Sequence, residues 1–216
     1  MRDGVHVLFG GAGGTTCERR SGRLHFDDAL EAGMTPDEAL QRLLDGNRRF
    51  VSDAPEGPHR DPDRRMQQAE GQTPYAVVLG CADSRVAPEI VFDQGIGDLF
   101  TVRVAGNTAA DDIIIGNVEF GVRVLGCPLV VVLGHEQCGA VKAALEPDSV
   151  SGAMASLLPP ILPAVEAARG EDDVMAAAVR GNVRNQVAAL RQTFADVNVL
   201  GAVYDLHTGQ VDVLTR

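Results

Sequence analysis

The chain is short of positive charge. Of its 216 residues 19 are Lys or Arg against 30 Asp or Glu, a formal net charge of -11 with a pI near 4.8. Nucleic acid and anionic membrane surfaces demand a basic face, so neither is expected as a partner. Lys142 is the lone lysine, and specific anion contacts therefore fall to guanidinium groups, which match carboxylate-like or bicarbonate-like oxygens in a bidentate way. Cysteine is scarce too. Cys17, Cys81, Cys127 and Cys138 are too few and too irregularly spaced for the disulfide framework of a small secreted domain, so a reducing cytoplasm is the expected compartment. No apolar run approaches membrane-spanning length. The opening stretch, Arg2, Asp3 and Val5 to Phe9, carries no small-residue cleavage pattern, and a signal peptide is not expected.

Hydrophobic residues make up 45% of the chain, ample for one packed core. Residues 1–33 are Gly-rich and mixed in charge. Gly10 to Cys17 superficially resembles a phosphate loop, but Thr15 and Thr16 follow the glycines without the Lys that reaches phosphates, and a dinucleotide fingerprint would need a third spaced Gly. The segment reads as a flexible tail, leaving residues 34–216 as a single domain.

That domain opens with a helix, because Thr35 can cap, Pro36 suits the first position and Glu38 completes a capping box before the apolar face Ala39, Leu40, Leu43, Leu44. Residues 54–74, with Pro55, Pro58, Pro62 and Pro74 and no periodicity, read as an exposed connector. Tyr75 to Gly80, Leu99 to Val104, Leu129 to Leu133 and Val197 to Tyr204 read as strands. Ala109 to Leu125 and a segment beginning at Gln137 read as helices, with two more following. Gln210 to Leu214 reads as a short edge strand after a turn at His207 to Gly209. The alternation predicts an α/β fold, a mainly parallel central sheet flanked by helices, with an N-terminal helical arm.

The apolar runs AVVLG and LVVVLG each stop at a polar cluster, Cys81 to Arg85 (CADSR) and His135 to Gly139 (HEQCG). The carboxyl ends of strands in an open parallel sheet form the usual ligand crevice where strand order reverses, so both clusters can meet there. Two thiolates and one imidazole, Cys81, Cys138 and His135, suit zinc, and three protein ligands leave a fourth position in which a bound water becomes a hydroxide nucleophile. Two thiolates cancel the formal charge of the ion, which predicts activity rising on the alkaline side. Asp83 can either take that fourth position and close the site, or pair with Arg85 and leave it open.

These motifs, CADSRV at 81–86, RVAGN at 103–107 and GHEQCGA at 134–140, together with GNRRF at 46–50 and GAVYDLHTG at 201–209, resemble the β-class carbonic anhydrases. The resemblance implies reversible hydration of carbon dioxide to bicarbonate and a proton, with one zinc on Cys81, His135 and Cys138 and with Asp83 paired to Arg85. It further implies that Gln72 donates a hydrogen bond to substrate, that the Gly139 amide assists, and that Phe100 lines the pocket of a neighbouring subunit. A homodimer with swapped arms from residues 35–50, or a homotetramer made of two such dimers, would follow. Val86, Phe100 and Ala105 are expected as pocket walls. An inhibitory bicarbonate site of some members uses a Trp, an Arg and a Tyr; Arg103 and Tyr204 match, but Val78 stands at the Trp position. Asp111 is nearest the place of a pocket tyrosine found in some members.

Other residues have plainer expectations. Cys127 reads as core and Cys17 as an unstructured thiol, while His6, His25, His59 and His207 read as surface or turn residues. Two other functions remain open: a related zinc hydrolase of another small linear molecule such as carbon disulfide, and a non-catalytic zinc module sensing bicarbonate or pH.

Overall fold

A computed structural model describes residues 33–215. The expected flexible tail, with Cys17, His6 and His25, falls outside them except for Gly33.

Helix α1 (Pro36–Val51) begins as the sequence predicts: the Thr35 side chain accepts from the Glu38 amide, and the Glu38 carboxylate accepts from the Thr35 amide at 2.8 Å. Strands β1 (Ala76–Gly80), β2 (Leu99–Arg103), β3 (Leu129–His135), β4 (Asn198–Tyr204) and β5 (Val211–Thr215) form one sheet in the order β2-β1-β3-β4-β5. All neighbours pair in parallel except β5, which runs antiparallel to β4. Side chains alternate between faces along each strand. Val77, Leu79, Val130, Val132, Val199 and Val203 meet α7 (Val174–Thr193), which buries Ala178, Val179, Val183, Val187 and Leu190. Val78, Leu129, Val131, Leu133, Leu200 and Ala202 meet Ala39, Leu40 and Leu43 of α1. Burial on both faces is why the central strands read as unbroken apolar runs.

Helix α1 thus lies against the sheet of its own chain, correcting the expected swapped arm: its apolar stripe is satisfied in place. Asn47 fastens its far end, donating to the Val91 carbonyl at 3.0 Å and the Gly209 carbonyl at 2.8 Å and accepting from the Val211 amide at 3.0 Å. The two outer motifs, at 46–50 and 201–209, are therefore in contact.

The connector differs from expectation. It contains α2 (Pro62–Gln67), capped by Asp61, and it is held by charge. Asp93 and Asp98 are both buried. Asp93 accepts from Arg49 at 2.7 Å and from the amides of Glu56 and Gly57. Asp98 faces Arg42, Arg64 and His59, whose ring nitrogen lies 2.8 Å from both carboxylate oxygens. An ionic anchor leaves no hydrophobic period to read.

After β1 come the short α3 (Pro88–Val91) and β2. The helix expected over Ala109 to Leu125 is shorter: Asp111 caps α4 (Asp112–Glu119), and a wider π-helical turn over Phe120–Val124 follows. That turn presses Gly121 onto the sheet, where a Cβ would lie 2.5 Å from Val77 and 3.0 Å from Phe100. Helices α5 (Gly139–Leu145) and α6 (Leu162–Ala167) precede α7. Among the described residues no helix is long and apolar enough to cross a membrane.

Candidate metal centre

Strands β1 and β3 are neighbours, and the chain leaves β1 toward β2 on one side before returning to β3 on the other. Their carboxyl ends flank this reversal, the place where open parallel sheets bind ligands. Cys81 follows the last residue of β1, and His135 is itself the last residue of β3, which runs two residues further than the sequence suggested. Gln137 then adopts a left-handed conformation with φ 50°, and this reversal makes Cys138 the N-cap of α5 instead of a residue inside a helix starting at Gln137.

The result is a compact donor set. One ligand atom each from Cys81, His135 and Cys138 lies within 4.8 Å of the others, and the two sulfurs are 3.9 Å apart. A tetrahedral zinc with Zn–S near 2.3 Å places its sulfurs about 3.8 Å apart, so the set fits this ion. All three residues are buried. The His135 Nδ1 is 2.8 Å from the Glu136 carbonyl, which can only accept, so Nδ1 carries a hydrogen and Nε2 is the nitrogen turned to the two thiols. Nε2 is buried without a hydrogen-bond partner, a costly state for a polar atom that a metal ion would relieve. The Cys81 thiol is held well below the ordinary range, first by the hydrogen bond shared with Cys138 and further by the Gly106 amide, 3.4 Å from the sulfur, against the effect of burial. A readily formed thiolate is what a zinc ligand requires.

The carboxylate of Asp83 lies beside this set, its Oδ2 3.8 Å from His135 Nε2. Both oxygens are engaged by Arg85: Nε donates to Oδ1 at 2.9 Å, a terminal nitrogen to Oδ2 at 2.7 Å, and the Arg85 amide to Oδ1 at 2.9 Å. The Arg85 hydrogen bonds hold the Asp83 carboxyl well below the usual carboxylate range despite some burial. Of the two partners open to Asp83, the structure shows it paired with Arg85.

Gly139 starts α5 directly after Cys138 and is exposed. Gln72 and Phe100 are not brought to these ligands. Gln72 precedes β1, and Phe100 pairs with Val77 near the start of β2 and stacks on Phe120. At about 3.3 Å per residue, that end of the sheet is some 13–17 Å from Cys81. Of the expected pocket walls, Val86 is sealed in the core on the α1 side, which corrects its assignment, while Ala105 is half-buried in the loop after β2. Val78 is also core, and Asp111 serves as a helix cap. Cys127 is buried as expected, its thiol donating to the Pro74 carbonyl at 3.2 Å. His207 sits on the exposed turn expected of it, and half-exposed His59 meets Asp98 instead of standing free.

The sequence reading missed two sets of supporting residues. Arg103 donates to the carbonyls of Cys81 at 2.9 Å and Asp83 at 2.6 Å, so it pins the backbone of the CADSR loop. Asn182 and Gln186 reach the loop after β2 from the interior of α7. Their spacing of four residues on an otherwise apolar stripe was the available signal.

Comparison with known proteins places the chain. Residues 76–211 match the carbonic anhydrase family, and the chain belongs to its β class. It is 54% identical over 110 residues to carbonic anhydrase 2 of Mycobacterium tuberculosis, a stretch covering 51% of this chain and 53% of that protein. The matched stretch thus spans about half the length of that relative. A carbonic anhydrase of Pseudomonas aeruginosa is 33% identical over 203 residues, covering 81% of this chain and 87% of the relative. Among solved structures, the Coccomyxa β-carbonic anhydrase in complex with acetazolamide superposes with a TM-score of 0.65 at 28% identity, covering 81% of this chain and 86% of that one.

Proposed function

We propose that this chain catalyses the reversible hydration of carbon dioxide to bicarbonate and a proton, using one zinc ion per subunit held by Cys81, His135 and Cys138. The observation that carries this reading is the two-pronged hold of Arg85 on Asp83 beside a donor set fitted to zinc; with Asp83 so held, a zinc ion on the three donors would have a fourth coordination position for water. Zinc bound there would acidify a water to supply the nucleophile, with the two thiolates placing its availability on the alkaline side.

The protein's own groups then have defined tasks. Asp83 stays ionised through the working range, so it can only accept a hydrogen bond, and its Oδ2 is placed to orient a hydroxyl group beside Nε2. Arg85 keeps that carboxylate pointed correctly and also donates to the Gln137 carbonyl at 3.3 Å, tying the two ligand-bearing loops together. Gly139, lacking a side chain, leaves its amide accessible for an oxygen of the substrate. Carbon dioxide is neutral and needs no steering, while the chain's net charge of -11 assists departure of bicarbonate.

Gln72 and Phe100, at the opposite end of the sheet, belong in this reading to the site of a second copy, giving a homodimer or homotetramer. Exposed Ile113 and Phe120 on α4 and the turn after it suit such a contact. Free buried cysteines fit a reducing cytoplasm.

Stopped-flow carbon dioxide hydration with a pH indicator, on protein of measured zinc content, tests the proposal. Wild type should be active and inhibited by acetazolamide, Cys138→Ser should lose zinc and activity together, and Asp83→Asn should keep zinc while losing about 10–100-fold in rate. Zinc-replete wild type without hydration activity would overturn the enzyme reading.

A further inference from the structure

We infer that Asn182 and Gln186, inside α7, are positioning residues of the metal centre: through Gly106 they fix the amide that hydrogen-bonds the Cys81 sulfur. The inference rests on the zinc reading of Cys81, His135 and Cys138.

Helix α7 buries Ala178, Val179, Val183, Val187 and Leu190 against the sheet, and on the same stripe stand two amides, Asn182 at 1% and Gln186 at 4% exposure. Amides taken out of water are costly unless bonded, and apolar residues of the same size would fill this space more cheaply. Their partners show what they hold. Asn182 Nδ2 donates to the Gly106 carbonyl at 2.9 Å, Gln186 Oε1 accepts from the Ala109 amide at 2.9 Å, and Gln186 Nε2 donates to Asn182 Oδ1 at 3.1 Å and to the Pro160 carbonyl at 3.2 Å. The pair thus closes a hydrogen-bonded clasp around the loop from Gly106 to Ala109.

That loop needs a clasp. Gly106 and Asn107 are both left-handed, with φ 79° and 46°, and a non-glycine residue there costs of order 1 kcal/mol or more. Gly106 is gripped from both sides: its carbonyl by Asn182, and its amide by the Cys81 sulfur, 3.4 Å away. It is also walled in, since a Cβ would come within 2.7 Å of Ile161 and 3.2 Å of Ala140, which lies two residues past Cys138. The Gly106 peptide is therefore where α7, the Cys81 loop and the Cys138 helix converge. A hydrogen bond to a thiolate ligand drains charge from the sulfur and helps fix its direction, so a displaced Gly106 amide changes both the hold on the metal and the electron donation from Cys81.

The test compares Asn182→Leu and Gln186→Met, which keep volume and remove the bonds, with Val187→Ala, which weakens the same helix without touching the clasp. Each full-length variant is loaded with zinc for chelator-driven release, and with cobalt(II) for its thiolate-to-metal charge-transfer band. Both clasp variants should release zinc about 10–100-fold faster and move the band to longer wavelength, while Val187→Ala leaves both unchanged. Asn182→Ser is read in the same way should the leucine variant not fold. Wild-type release and an unmoved band in the folded clasp variants, or an equal change in Val187→Ala, would overturn the inference. Wild type that binds neither ion would instead remove the zinc reading beneath it.

Discussion

One residue, Ser84, separates Asp83 from Arg85, close enough for the Arg85 amide and guanidinium to grip one carboxylate together. That proximity was legible in the sequence, as was the Cys81, His135 and Cys138 donor set, because thiol and imidazole at strand ends carry a recognisable chemistry. Which of two partners Asp83 takes was not legible in the spacing and came only with the family resemblance, since it depends on where β3 ends and how Gln137 turns. Arg85→Ala should free Asp83 to approach the metal: zinc content stays at wild-type level while kcat/KM falls about 10–100-fold. An Arg85→Ala enzyme with undiminished kcat/KM would show that Asp83 needs no such restraint. Two thiolates among three ligands also predict that wild-type kcat rises toward alkaline pH, and a flat profile from mildly acidic to alkaline conditions would remove the acidified water as nucleophile. Arg103, read from the sequence only as part of an inhibitory site, turned out to brace the loop itself, because backbone carbonyls leave no trace in a sequence pattern.

At the scale of elements, the helix at Thr35 and the strands were readable from capping and period, whereas the segment before β1 was not. Its anchor is Asp93, fully buried and bonded to Arg49 of α1 and to the amides of Glu56 and Gly57. Burial pushes the Asp93 carboxyl up, but the Arg49 bond and the two amides outweigh it, and the net displacement is downward. A group with a depressed folded pKa stabilises the fold above its unfolded value, near about 3.9, and that stabilisation is lost as pH falls through the folded value. The urea midpoint of wild type should therefore drop more between pH 6 and pH 3 than that of Asp93→Asn, which at pH 6 should already be less stable by about 3 kcal/mol. Parallel drops in the two proteins would assign the acid sensitivity elsewhere.

At the scale of the whole molecule, the parallel sheet separates what the family resemblance unites: Cys81, Asp83 and His135 lie at one end, Gln72 and Phe100 at the other. A site completed by a second copy makes a distinctive forecast. Mixing Cys138→Ser with Gln72→Ala chains under exchange conditions should restore about a quarter of the wild-type sites, because half of the dimers are mixed and each mixed dimer holds one complete site. No recovery from mixed dimers would mean that Gln72 serves no neighbouring site. For Phe100 the family resemblance had implied a neighbouring subunit, but for Gln72 spacing was misleading, since nine residues along the chain become opposite ends of a sheet only once β1 is extended.

The open fourth position is the claim on which the rest depends, and zinc X-ray absorption on the metal-loaded protein, with and without saturating bromide, reads it directly. The account predicts two sulfurs near about 2.3 Å, one nitrogen near about 2.0 Å and a light fourth ligand that bromide replaces. A fourth ligand that bromide leaves in place, as a carboxylate from Asp83 would, contradicts it.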